Sequence, residues 1–336
     1  LGPHEIALIV NAGSTSSVTL ADEYGKLRGV PGTNIVAIDI PAALSTPQAA
    51  LSTGDFSRLI WMPVTNALAR RGVAGHVLAW VYSVDIPMRV IVGGQEMSLT
   101  GMTFLRGRAP AQDQIRQGTW VSPLYAGPDK PWARAYGSQS FDEQRQWLGD
   151  DMPLPAMMLG VMGPSANTPD EIRNCLRRGL VSDGTHPAGT MYYVTNSDVR
   201  SKCRDWQFPA AVRELAGRGI GAVITNDMPE NSSSAIGIMR GISEFDASRG
   251  NRYPSGFIGE HLTSNGAIFG EHGQTKLSAW ITAGAAASFG TVTEPFAVWA
   301  KFPHARLFVH YTAGCTAIES FYQSVRCPLQ ILPVGD

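Results

Sequence analysis

Along most of the chain, nearly continuous apolar runs alternate with segments in which apolar residues recur at helical spacing. Glu5 to Asn11 (EIALIVN) is the first such run, as expected of a strand buried on both faces. It stops at Ala12-Gly13-Ser14. Val18, Ala21, Tyr24 and Leu27 then follow a helical period, and Gly29 supplies a stop. Asn34 to Ile40 reads as a second strand, so the chain opens with a βαβ unit of parallel strands. Asp55 to Arg71 is helical, with Pro63 predicting a kink or two short helices. His76 to Ser83 is a third strand, and Met88 to Leu99 a hairpin about Gly93-Gly94. Pro155 to Met162, Thr190 to Thr195 and Gly221 to Thr225 are further strands, with a helix at Pro209 to Ala216. Thr168-Pro169-Asp170-Glu171 is a capping box with proline at the first helical position, opening a helix to about Arg178. Gly314 to Val325 is a last helix and Leu329 to Val334 a last strand. This alternation predicts an α/β fold with a mainly parallel sheet flanked by helices in three layers. Two subdomains are expected: 1–150, with an irregular excursion at 101–155, and 151–336. The aromatic residues Trp120, Tyr125, Trp132, Tyr136 and Trp147 of the excursion call for burial.

The stretch Pro254 to Pro295 concentrates polar chemistry where strands are expected to end. Glu260-His261, Glu271-His272 and Glu294 surround a helix-length segment, Gln274 to Ala283, and a small-residue strand, Ala285 to Val292. In parallel α/β sheets ligands bind at the carboxyl ends of the strands. The enzyme reading makes His261 a general base oriented by Glu260, with Ser264 or Thr263 nearby; its alternative is a packed histidine at a strand end. Asn11, Ser14 and Ser17 follow the first strand. Ser14 fits a helix cap, and the free N–H groups there can also meet a polar ligand. Together with Thr263 and Glu294 they form the expected ligand-binding set. A metal reading would use His261 and His272 with Glu260 or Glu271, and Asp227 as an optional further ligand. The eleven-residue spacing of the two Glu-His pairs matches no ligand motif, so no metal and no cofactor is expected.

Composition narrows the function classes. Among 336 residues, 16% are charged and the net charge is -1, so nothing holds a nucleic acid. No apolar run reaches bilayer-spanning length. Thirty-six glycines and 22 prolines suit a loop-rich protein. The chain starts at Leu1; signal-peptide removal and a truncated chain both account for that. Four cysteines, Cys175, Cys203, Cys315 and Cys327, include no CxxC motif. A helix between Cys315 and Cys327 would hold them too far apart to bond, and Cys175 with Cys203 is the more plausible pair.

Asn11-x-x-Ser14-x-x-Ser17, Arg28-Gly29-Val30-Pro31, Glu260-His261-Leu262-Thr263-Ser264, and Gly290 to Pro295 carry a resemblance over almost the whole chain. They resemble an uncharacterised family of exported bacterial proteins, which implies a periplasmic or extracellular location. Leu277 to Gly290 and Phe308 to Val325 are similar to the caspase-like peptidases of the gingipain and CHAT-type branches. In those enzymes a catalytic His follows one strand and a catalytic Cys the next. The resemblance places the Cys position near Glu260 or His261 and the His position near Asn226 or Asp227, and neither expected residue stands there. The reading ranked first is therefore a secreted, non-catalytic binding or structural protein on a degenerate caspase-like scaffold, associating with itself or with another extracellular protein. The alternative is a hydrolase using His261, or a metal-dependent one.

Overall fold

The structure is a computed structural model that describes residues 1–127 and 137–336. The strands, in chain order, are β1 (Ile6–Asn11), β2 (Ile35–Ile38), β3 (Ala50–Ser52), β4 (Ala79–Tyr82), β5 (Arg89–Val92), β6 (Gln95–Ser98) and β7 (Ala156–Met158). They continue as β8 (Thr190–Val194), β9 (Gly221–Thr225), β10 (Ala235–Gly241), β11 (Ile258–Leu262), β12 (Ala287–Thr291) and β13 (Ile331–Gly335). Ten of them form one sheet in the order β2-β1-β4-β7-β13-β12-β11-β10-β8-β9, and β3, β5 and β6 form a small second sheet. The protein is thus α/β, with a large, mostly parallel sheet flanked by helices.

The sheet has an internal regularity. Within the amino-terminal part, β2-β1-β4-β7 places its strands in the order second, first, third, fourth. The carboxyl-terminal part repeats that order as β9-β8-β10-β11 and then adds β12 and β13. β13 runs antiparallel to β12 over five residue pairs and touches β7 at the single bridge Val334–Met158, a parallel one, which taken alone would set the two parts in opposite senses. One bridge is too short to fix the relative sense of the two parts; the helices fix it. The Thr15–Arg28 helix lies beside the Pro169–Ser182 helix, with Arg173 paired to Glu23 and Arg28 to Asp183. The short Ser278–Thr282 helix runs in the same sense: Ser278 meets Ser165, Thr282 meets Asn167, and Gly284 meets Arg178. The strands that feed these helices, β1, β7 and β11, therefore share one carboxyl edge. The expected boundary at 150/151 falls just before β7, whose ladder is with β4 of the first part.

Local sequence explains the elements. Ser14 caps the first helix by accepting from the Ser17 N–H at 3.1 Å, and Gly29 closes it in the left-handed conformation at φ 69°. Thr168 and Glu171 form the capping box, and that helix runs on to Ser182. Pro63 sits at the start of an α-helix, Met62–Arg70, entered from a wider π turn over Phe56–Trp61. The excursion contains the helices Leu99–Phe104, Gln112–Gln117 and Phe141–Leu148. Tyr125 is buried and Trp120 packs edge-on against Phe104. Trp147 remains 37% exposed, against the expectation of burial, with its indole N–H bonded to the half-buried Gln139 side chain. Trp132 and Tyr136 lie outside the described residues. The apolar interior forms two bodies, one around Trp80, Phe257 and Trp280, the other around Tyr193, Phe308 and Phe321.

Candidate functional site

The carboxyl edge carries the residues singled out in the sequence, and it gathers them into two separate corners. At the end of β1, Asn11 is fully buried. Its side-chain amide donates to Ser45 Oγ at 3.0 Å and to the Asp85 carbonyl at 2.7 Å, while its oxygen accepts from the Gly13 N–H at 3.1 Å. Ser17 Oγ accepts from the Asn11 N–H at 3.0 Å, and Ser14 Oγ donates to the Asp85 carboxylate at 2.6 Å. Asp85 itself has a left-handed backbone, φ 57°. These bonds pin the loop after β4 to the loop after β1. The polar groups of Asn11, Ser14 and Ser17 are used by the fold itself.

The second corner surrounds β11. The strand extends through Leu262, so Glu260 and His261 are strand residues and not loop residues, 0% and 1% exposed. Consecutive strand residues point to opposite faces, and these two do. Glu260 pairs with fully buried Arg204 at 2.5 Å. His261 instead faces Trp280, whose indole N–H donates to His261 Nδ1 at 3.0 Å. With Nδ1 accepting, the ring proton is on Nε2, which donates to the Thr275 carbonyl at 2.9 Å. Gly259 makes this possible: a Cβ there would stand 2.3 Å from the Trp280 ring. The expected Glu260–His261 orienting contact is therefore absent, because strand alternation separates the two side chains. Burial lowers the His261 pKa to about 4, with the Arg240 and Arg204 charges acting the same way and the Thr275 bond opposing them. Burial pushes the Glu260 carboxyl up, and Arg204 pulls it back.

The neighbouring hydroxyls serve the loops. Thr263 Oγ1 donates to the Gln274 side chain, and Ser264 Oγ donates to Glu294 at 3.0 Å. The same Glu294 oxygen accepts from the Phe296 N–H at 2.7 Å. Neither ring nitrogen of His261 bonds a hydroxyl. His272 is exposed and Glu271 accepts from the Asn265 amide at 2.6 Å. Among the described residues no three His, Cys, Asp or Glu side chains cluster as a metal site would require.

Two cations on this edge were not singled out in the sequence. Arg240, at the end of β10 and paired in register with His261, is 7% exposed and lies 4.3 Å from the Phe245 ring centre. Its Nε has no hydrogen-bond acceptor, and burial lowers its pKa to about 10. Lys276 is 8% exposed, donates to the Asn265 carbonyl at 3.1 Å, and is likewise shifted down by burial. A sequence signal for Arg240 existed: a lone arginine closing an apolar run, AIGIMRG.

The four cysteines are free thiols. Cys175 donates to the Ala286 carbonyl at 3.1 Å and Cys203 to the Arg200 carbonyl at 3.5 Å, so the pair named as more plausible is not joined. Each sits within its own helix surroundings, which hold the sulfurs on separate backbone acceptors. Burial pushes Cys315 and Cys327 up to about 11 and raises Cys175 and Cys203 as well. At the opposite, amino edge of the sheet lies a partly open cavity of about 560 Å³. No family model, no curated protein and no solved structure matches the chain. Among the described residues no helix is long and apolar enough to cross a membrane.

Proposed function

We propose that this protein is an exported, non-catalytic binding protein on a caspase-like scaffold, and that it associates with copies of itself. One observation carries the reading: His261 is sealed, with both ring nitrogens bonded inside the fold and the ring 1% exposed. A general base needs an open nitrogen within reach of the proton it takes. The topology agrees. β10 and β11 are neighbours, and the residues that follow them, Ile242 to Phe245 and Thr263 to Asn265, include no His and no Cys. Asn226 and Asp227 follow β9, the outermost strand, three places from β11. Thiols held above their ordinary pKa are poor nucleophiles.

Self-association is assigned to β9. It has a partner on one side only, and its adjacent residues Val223 and Ile224, which point to opposite faces, are 41% and 43% exposed, so each face is partly open. Such an edge offers unpaired backbone groups to another strand. Light scattering on the purified chain is expected to show a concentration-dependent oligomer, and Val223→Lys to reduce it. A monomer at every concentration removes this part of the proposal. The catalytic part is tested by the tautomer of His261. Long-range ¹⁵N correlation is expected to show an Nε2–H ring that does not titrate between pH 5 and 8. A midpoint near the ordinary histidine value, with rapid solvent exchange, would favour the hydrolase.

A further inference from the structure

We infer that the amino-edge cavity is a binding site for a neutral, extended aliphatic molecule; this rests on the reading of the chain as a binding protein and names its ligand class. The cavity, open to solvent at its rim, has a volume of about 560 Å³, within the roughly 300–1,000 Å³ typical of small-molecule sites. Its apolar wall includes Ile6, Val81, Met157, Met191, Ile236 and Ile318, all of which belong to the same core body. These residues come from β1, β4, β7, β8, β10 and the Ala317–Ser324 helix. In the sheet order, β1 and β8 stand far apart, so the space is elongated across the edge and not round. A space drawn out along the edge suits a chain better than a ring system. The two methionines give the wall flexible, polarisable side chains that adapt to such a chain.

Charge selects against a fatty carboxylate. The polar end of the cavity is formed by Arg28, Asp183 and Asp336, with exposed His186 at the rim. Arg28 is already committed: its Nε lies 3.0 Å from both Asp336 oxygens and its remaining nitrogens reach Asp336 and Asp183. Tyr24 adds a hydrogen bond to Asp336 at 3.1 Å. Two carboxylates face one guanidinium, and the Leu1 ammonium at the wall is paired with Glu319 at 3.5 Å, so a further anion at this end would meet repulsion from groups already matched in charge. A hydroxyl or ester head group can instead donate to or accept from this network at no charge penalty, beside Tyr311, whose hydroxyl donates to the Gly256 carbonyl at 2.8 Å.

The test uses the full chain and the neutral dye Nile red. Wild type is expected to bind one dye with enhanced, blue-shifted emission, and 1-dodecanol is expected to displace it at concentrations at least tenfold below those needed of dodecanoate. Ile236→Trp and Met157→Trp fill the space and should weaken dye binding at least tenfold, while Met191→Leu, close in volume, leaves it within twofold. Circular dichroism confirms which variants fold, and the alcohol-against-carboxylate comparison on wild type needs no variant. Absence of dye binding, binding indifferent to both filling substitutions in folded protein, or dodecanoate competing as well as dodecanol would each overturn the inference. None of these outcomes touches the non-catalytic reading, which falls only to turnover or to an open His261.

Discussion

At the scale of single residues, the chain's titratable groups are built into the interior with their ionisation decided by burial. His261, His304 and His310 are all nearly fully buried, with pKa values lowered to about 4, to about 3 and well below the ordinary value. Burial is the first cause in each, and the Arg306 or Arg240 charge the next in the same direction. Unfolding returns each ring to an ordinary pKa near 6.5. The unfolded state therefore binds more protons below about pH 6.5, and stability falls as pH drops through the window between the unfolded and folded values. Urea unfolding at pH 7 and pH 5 is expected to show lower stability at pH 5, with His261 alone contributing up to about 3 kcal/mol by pH 4. Equal stability at the two pH values would mean these rings are hydrated. The Arg204–Glu260 pair is 0% exposed on both sides. Arg204→Met is expected to cost about 3–5 kcal/mol, because it leaves a buried carboxylate without its cation. Changing both residues to apolar ones should recover much of the loss in the same unfolding experiment.

At the scale of elements, what was legible in the sequence was whatever local chemistry dictates. The capping box at Thr168, the stop at Gly29 and the Gly93-Gly94 hairpin are all where the residues place them, since each rests on bonds within a few positions. Thr168→Ala is expected to lower stability by about 1 kcal/mol, read as a shift in the urea midpoint at unchanged slope. β10 was missed altogether. Its glycines weaken any strand signal, yet Gly237 is needed where Phe308 and Met191 press within 2.5–2.9 Å of a would-be Cβ. Packing of distant residues sets that requirement, and no nearby residue announces it. The extent of β11 was misjudged for a related reason. Glu260 and His261 look like loop residues by polarity, and only Arg204 and Trp280, far away in the chain, supply the partners that let them stand inside a strand. The polar character of this stretch was legible in the sequence, but its state, sealed and not open, depends on those long-range partners.

At the scale of the whole molecule, two parts with the same opening strand order meet in one continuous sheet, and β13 closes the second part. No sequence repeat accompanies this, because the order reflects how strands and crossovers pack and not which residues fill them. The arrangement leaves one edge knotted by its own hydrogen bonds and the other hollow, so the binding capacity is expected at the amino edge. It also stores the thiols away from solvent. Ellman's reagent on native protein is expected to label at most half-buried Cys203 quickly, and all four cysteines only after denaturation. Rapid labelling of three or four native thiols would show an interior far more open than this one. The most direct test of the central claim is a single hydrolysis measurement: a mixed peptide and ester substrate pool, read by mass spectrometry, with wild type and His261→Asn side by side. The expected result is no turnover above the buffer control from either protein. Turnover by wild type that disappears in His261→Asn would contradict a non-catalytic protein and restore His261 as a catalytic base.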